Sequence, residues 1–142
     1  MKTTVVVSLL LLMVFAGLAN AQRVQGQLQL YADETGVDCI IQDMSGIVMV
    51  YVYFFDYFSD EGVTAVQFGA PLPSCWTGAI WLGDSSPWAT HLGDSQLNDP
   101  RGWTVAFQGC RVPPVFVGSI MYLAQGLAST CCPYPVVKAE DG

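Results

Sequence analysis

The segment IVMVYVYFFDYF, residues 47–58, decides the fold of this chain. Valine, isoleucine, tyrosine and phenylalanine occupy nearly every position in it, and such β-branched and aromatic side chains favour strands over helices. Its unbroken apolar part, residues 47–55, is about half the roughly 20 residues that a membrane-spanning helix needs. The segment therefore predicts a long strand in a buried sheet, and no membrane span.

Shorter strand-like segments lie on both sides of this run, separated by Gly, Pro and Asp turns. They are residues 28–31, 37–41, 63–68, 79–82, 90–92, 104–110, 115–123 and 134–137. No segment repeats apolar residues at helical spacing behind a capping signal. Roughly seven to nine short strands in one domain predict an all-β, antiparallel β-sandwich of the immunoglobulin-like kind.

The first 21 residues have the pattern of a secretory signal peptide. Lys2 supplies the positive start, residues 5–18 the apolar stretch, and residues 19–21, Ala-Asn-Ala, the small-x-small cleavage site. We therefore expect residues 22–142 to form a single secreted or periplasmic domain. Neither Asn20 nor Asn98 begins an N-glycosylation sequon, which favours a bacterial source.

Charge and composition narrow the class of partner. Without Lys2 the chain carries four basic against 12 acidic residues, and the basic ones are scattered singly. Nucleic acid and anionic membranes find no basic patch to neutralise them. Since 52% of residues are hydrophobic and only 12% are charged, the chain is expected to fold compactly. The partner expected for a secreted domain of this kind is an extracellular protein or glycan.

Five cysteines follow the predicted signal peptide: Cys39, Cys75, Cys110, Cys131 and Cys132. In an oxidising compartment they indicate disulfides, although spacing alone leaves 15 fully paired arrangements open. Adjacent strand residues point to opposite faces, so the vicinal pair is expected to take different partners. The prediction is Cys75 with Cys110, and Cys39 with Cys131 or Cys132, leaving one structural thiol.

Catalytic patterns are sparse. His91 is the single histidine, no Cys-x-x-Cys or Gly-x-Ser-x-Gly motif occurs, and no zinc-ligand set is present. Two loop-like copies of Leu-Gly-Asp-Ser, at residues 82–85 and 92–95, place carboxylates near Asp99. A small hydrolase using Asp84, Asp94 and Asp99, or a calcium-stabilised adhesion-type module with the same ligands, therefore stands as the alternative to a non-enzyme with no cofactor.

Aromatic side chains are the better material for a binding surface. Tyr51, Tyr53, Phe55 and Tyr57 recur at every second position and so share one face of the long strand. An exposed tyrosine row can stack on sugars or receive an extended peptide, and core packing is the competing explanation. The tryptophans of the loop-rich middle are further candidates for the contact surface: Trp76, Trp81, Trp88 and Trp103.

Several sequence motifs of this chain are similar to those of other small proteins. Residues 30–33 (Leu-Tyr-Ala-Asp), Cys39, residues 65–73 with Cys75, and the ending Cys-Cys-Pro-Tyr-Pro-Val-Val at 131–137 resemble uncharacterised small secreted bacterial proteins with a Tyr-Ala-Asp opening and that ending. The resemblance implies a secreted β-rich domain and brings no activity, cofactor or site residue. The likeness to immunoglobulin-like sandwiches is one of architecture.

The leading interpretation is a secreted, non-catalytic, disulfide-stabilised β-sandwich that binds or coats something outside the cytoplasm. Its ligand, disulfide connectivity and oligomeric state stay open at this point.

Overall fold

The computed structural model describes residues 26–56, 62–128 and 132–139, and within these ranges the chain forms eight β-strands and no helix. The strands are β1 (Gln27–Tyr31), β2 (Gly46–Phe55), β3 (Val63–Gly69), β4 (Ile80–Ser85), β5 (Thr90–Leu92), β6 (Trp103–Arg111), β7 (Val115–Ala124) and β8 (Val137–Lys138).

The strands form two antiparallel sheets of four. Sheet A has the order β1-β2-β7-β4, and sheet B has the order β5-β6-β3-β8. In the centre of sheet A, Met49 lies opposite Met121; in the centre of sheet B, Ala65 lies opposite Ala106. The two sheets pack face to face, which confirms the predicted antiparallel β-sandwich.

The core lies between the inner faces of the sheets. Val50 and Val52 of β2 face inwards with no exposed surface, and so does Val105 of β6. The rings of Phe68 and Trp103, 5.5 Å apart, fill the space beneath sheet B. Because strand side chains alternate between faces, burial of these residues turns their neighbours in sequence outwards. The core thus determines which side chains each sheet presents on its outer face.

Residues 37–41, predicted as a strand, are not one. The Asp33 carboxylate accepts hydrogen bonds from the backbone N–H groups of Thr35, Val37 and Asp38, and the N–H of Ala32 donates to the Asp38 carbonyl. These local bonds occupy groups that a sheet would need. Residues 33–38 therefore form a closed turn, and the same hydrogen bonds, above all the one from the Thr35 hydroxyl, lower the pKa of Asp33.

The disulfide joins Cys75 to Cys132, with the two Cα atoms 5.9 Å apart. The predicted bond between Cys75 and Cys110 is wrong, because Cys110 lies near the end of β6 in sheet B and carries an exposed free thiol. Cys39 is also free and exposed, so its predicted bond to Cys132 is wrong too. Cys131 lies outside the described residues. The observed bridge fixes the C-terminal segment to the loop before β4.

Candidate functional site

The outer face of sheet A carries mostly apolar side chains, with Gln27, Gln29, Ser85 and Ser119 as its polar members. Strand pairing places Tyr51 opposite Ser119, Tyr53 opposite Phe116, and Ile80 opposite Leu123, all on the side away from the core. We call this surface the apolar face; its residues are Tyr31, Ile47, Met49, Tyr51, Tyr53, Phe55, Ile80, Phe116, Met121 and Leu123. No charged residue occupies an outward position on these four strands.

Exposure is uneven across the apolar face. Ile47 and Ile80 keep 67% and 56% of their surface exposed, whereas Tyr31 keeps 9%. The aliphatic side chains therefore project at one end of the face, while the aromatic rings shield one another at the other end. Large apolar residues that stay exposed together, unlike single ones, mark an interaction site.

The aromatic rings of the apolar face pack at steep angles to each other. The Tyr53 ring lies 5.6 Å from that of Tyr31 at 89°, and 5.2 Å from that of Phe116 at 47°. The Phe55 ring is inclined at 40° to that of Tyr53. These edge and tilted contacts are favourable for the rings themselves. They give the surface a ridged relief in place of a flat row of parallel rings.

The two tyrosine hydroxyls at the aromatic end are engaged within the chain. The Tyr53 hydroxyl donates to the Glu34 carbonyl at 2.6 Å, and the Tyr31 hydroxyl donates to Gln29 Oε1 at 2.6 Å. Gly36, at a φ of 70° that favours glycine, lets the 33–38 turn approach the Tyr53 ring. Desolvation, followed by the charge of Glu34, raises the pKa of Tyr53. The turn thus holds this ring in place.

A cluster of polar side chains lies beneath sheet A, inside the sandwich. The Asp84 carboxylate accepts hydrogen bonds from the Ser95 N–H at 2.7 Å, the Ser95 hydroxyl at 2.8 Å and the Trp81 indole at 3.1 Å. Gln96 Nε2 donates to the Tyr122 hydroxyl at 3.0 Å. The Tyr122 hydroxyl also bonds to that of Tyr134, so the cluster connects β4, β7 and the C-terminal segment.

Burial dominates the electrostatics of this cluster. Desolvation raises the pKa of Asp84, and it raises the pKa of Tyr122 to about 12. The pKa of Tyr134 is also raised, first by desolvation and then by the charge of Tyr122. Each of these side chains already has hydrogen-bond partners within the cluster. The arrangement fits an internal brace of the sandwich.

The three aspartates of the hydrolase and calcium hypotheses serve separate local roles. Asp84 is a strand residue of β4 and faces inwards, while Asp94 accepts the N–H groups of Gln96 and Asn98 in the following turn. Asp99 pairs with Arg101 at 2.6 Å, and that hydrogen bond lowers the pKa of Asp99 to about 2. Among the described residues, no group of three His, Cys, Asp or Glu side chains could hold a metal ion.

The four tryptophans are buried or half-buried. Trp76 and Trp103 belong to the core, with 5% and no exposure. Trp81 and Trp88 are half-buried, and the Trp88 indole donates to the Phe116 carbonyl at 2.8 Å while Arg111 lies 5.1 Å above its ring. Tyr57 lies outside the described residues. Of the aromatic residues predicted for the contact surface, the structure places Tyr51 and Tyr53 together on the apolar face.

Sequence reasoning missed the partners that β7 brings to this face. Phe116, Met121 and Leu123 lie beside β2 because the two strands pair over nine positions. In β7, the outward Met121 and Leu123 alternate with the buried Ile120 and Tyr122. Once β2 and β7 are known to pair, this alternation predicts that Met121 and Leu123 lie on the apolar face. Pairing of strands more than 60 residues apart cannot be read from either strand alone.

No protein-family model matches the chain, and neither the curated proteins nor the solved structures include a significant match. Within the described ranges, no helix is long and apolar enough to cross a membrane. The resemblance to secreted bacterial proteins therefore stays a prediction.

Proposed function

We propose that this protein is a secreted, non-catalytic module that acts by contact, and that its apolar face packs against a second copy of the same chain. The observation that carries the proposal is the absence of charge across a four-stranded sheet face that holds exposed isoleucines and tilted aromatic rings. The disulfide is compatible with an oxidising compartment outside the cytoplasm.

The relief of the apolar face favours a protein over a glycan. Sugar rings stack on flat, accessible aromatic faces, but the Tyr53 ring meets its neighbours at 89° and 47°. The hydroxyls of Tyr31 and Tyr53, which could bond to sugar hydroxyls, already bond to Gln29 and Glu34. Protein side chains, by contrast, interdigitate readily with a ridged apolar surface.

The uncharged strands of the apolar face allow a second copy to be the protein partner in spite of the net charge of the chain. The whole chain has a formal net charge of −7, so two copies repel each other across most of their surfaces. The strands of the apolar face carry no outward carboxylate, and the carboxylates of Glu34 and Asp38 lie at its border in the loop between β1 and β2. In an isologous dimer, as in most homodimers, both copies use the same surface, so the apolar face of each copy would be covered by that of the other.

The area of the apolar face also supports a dimer. The 5, 10, 10 and 6 residues of β1, β2, β7 and β4 cover roughly 500 Å² of projected sheet, from the usual strand rise and spacing. Two such faces would bury on the order of 1,000 Å², the lower bound for a specific interface. We therefore expect a reversible dimer with a dissociation constant of about 1–100 μM.

Sedimentation velocity of the purified secreted protein across this concentration range tests the proposal. Met121→Lys introduces a charge at the centre of the apolar face, and Ala106→Lys introduces the same charge at the centre of sheet B. We expect the wild type and Ala106→Lys to dimerise, and Met121→Lys to stay monomeric with an unchanged circular dichroism spectrum. A wild type that is monomeric at about 1 mM, or a dimer equally sensitive to both changes, overturns the second copy as partner.

A further inference from the structure

Cys39 and the disulfide share a cavity at one end of the sandwich. This cavity, of about 490 Å³, is lined by Cys39 together with Cys132 of the bridge and by the neighbouring Trp76 and Asp43. Cys39 carries an exposed free thiol, and Cys132 is half-buried. Cys39 and Cys132 therefore border the same space, while Cys75 is not part of the cavity lining.

The segment that carries Cys39 is attached to the C-terminal side of the molecule. The Asp43 carboxylate accepts hydrogen bonds from the backbone N–H groups of Gly126 at 3.2 Å and Ala128 at 2.5 Å. Ala128 lines the same cavity as Cys39 and Cys132. These bonds hold the loop between β1 and β2 against the segment that leads to the bridge, which keeps Cys39 on the cavity that Cys132 also lines.

We propose that Cys39 and the Cys75–Cys132 bridge form a thiol–disulfide exchange site. The Cys39 thiol releases its proton to water, and the thiolate attacks Cys132 Sγ. The bond between Cys132 and Cys75 breaks as the bond between Cys39 and Cys132 forms, and Cys75 leaves as a thiolate that takes up a proton. One disulfide and one thiol are present before and after the step, so no external oxidant or reductant is needed.

The exchange changes which loop the C-terminal segment is bonded to. In the observed state the bridge fixes the turn around Trp76, whose N–H donates to the Pro73 carbonyl at 3.0 Å. The Trp76 ring also packs edge-on against Tyr122 at 5.6 Å and Tyr134 at 6.0 Å. After exchange, the loop between β1 and β2 is bonded to the C-terminal segment, and the Trp76 turn is released. The site thus has two covalent states of equal oxidation level.

Disulfide mapping of the acid-quenched full-length secreted protein tests this site. The protein is held at about pH 8, where thiolates form, then quenched at about pH 4, unfolded and alkylated before digestion. We expect a minor population, at least about 1% of molecules, with alkylated Cys75 and a linked Cys39–Cys132 peptide. Cys39→Ser should abolish both products, and Cys110→Ser, which removes the other exposed thiol of the described residues, should leave them unchanged.

Two results would overturn the exchange site. One is alkylated Cys75 below about 1% in the wild type, which would mean that the bridge does not open. The other is Cys39 found wholly bonded to Cys131, which would leave no thiol to attack. Both results can occur whether or not the apolar face forms a dimer, so this test is independent of the proposed function.

Discussion

The two outer faces of the sandwich are built on similar interiors but differ in chemistry. On sheet B, strand pairing turns Ala65, Gln67, Thr104 and Ala106 outwards, and Thr90 and the exposed Leu92 of edge strand β5 lie beside them. On sheet A, the outward positions of the two central strands hold methionine, tyrosine, phenylalanine, isoleucine and leucine, with Ser119 as the polar exception, and edge strand β1 adds Gln27 and Gln29. Folding requires apolar residues only on the inner side of each sheet, so sheet B, apart from Leu92 at its edge, has the expected pattern for a solvated face.

The difference between the faces is informative about function. An antiparallel sheet with one solvated side normally alternates apolar and polar residues, as β6 does where Val105 is buried and Thr104 is half-buried. In β2 the alternation is between two apolar sets, since Met49, Tyr51 and Tyr53 separate the buried valines. Because the core does not need these outward side chains, a second apolar contact is the simplest physical reason for them.

Substitutions of core residues inside the sandwich are expected to lower the free energy of unfolding the most, and to do so to a similar extent beneath both sheets. Ile120→Ala beneath sheet A should cost about 2–5 kcal/mol, and Phe68→Ala beneath sheet B about 3–5 kcal/mol, because each leaves a cavity in the core. Ile47→Ala, on the apolar face, should change the unfolding free energy of the monomer by less than about 0.5 kcal/mol. Urea denaturation at dilute concentration measures all three. A loss at Ile47 as large as at Ile120 would show that the apolar face belongs to the monomer's own core.

The polar cluster beneath sheet A should contribute less to the free energy of unfolding than the apolar core residues do. Tyr122→Phe removes the hydroxyl that accepts from Gln96 and bonds to Tyr134. The expected loss is about 1–3 kcal/mol of unfolding free energy, since buried partners lose a hydrogen bond. Thr104→Val on the outer side of sheet B is the control, with an expected change under about 0.5 kcal/mol. Equal effects of the two substitutions in thermal or urea unfolding would contradict a bracing role for the cluster.

The pH dependence of stability should separate the interior aspartate from the surface one. The folded-state pKa of Asp84 is raised above 3.8, mainly by burial, so its protonated form contributes stability in full below 3.8 and loses it as pH rises through the folded pKa. Asp99 has the opposite sign: hydrogen bonds from Arg101 lower its pKa to about 2, so its contribution is present above 3.8 and is lost as pH falls towards 2.

Two variants isolate these contributions. Between about pH 7 and pH 4, the wild type should gain unfolding free energy relative to Asp84→Asn. Between about pH 4 and pH 2, it should lose unfolding free energy relative to Asp99→Asn. Urea titrations at each pH give the differences. A wild type that loses stability relative to Asp84→Asn on acidification would contradict the buried environment of Asp84.

The strands were predictable and their partners were not. Residues 47–58 specify β2 through local side-chain preference, and seven of the eight flanking segments also overlap observed strands. Residues 37–41 do not form a strand because the Asp33 side chain accepts hydrogen bonds from the backbone N–H groups of Val37 and Asp38, and strand propensity does not consider such local bonds. The bond between Cys75 and Cys132 depends on tertiary proximity over 57 residues, and the same long-range pairing assembles the apolar face.

The most direct test of the account is a charge-complementation experiment on the apolar face. Met49 and Met121 are cross-strand partners at its centre, so one double variant receives lysines at both positions and another receives aspartates. The corresponding Ala65→Lys and Ala106→Lys double variant provides the control on sheet B. Sedimentation velocity is then measured for each variant alone and for an equimolar mixture of the two methionine variants.

If the face meets a second copy of itself, each methionine variant alone should be monomeric, their mixture should form a one-to-one dimer, and the sheet B control should associate like the wild type. A mixture that remains monomeric while the wild type dimerises, or methionine variants that dimerise on their own, would contradict the account.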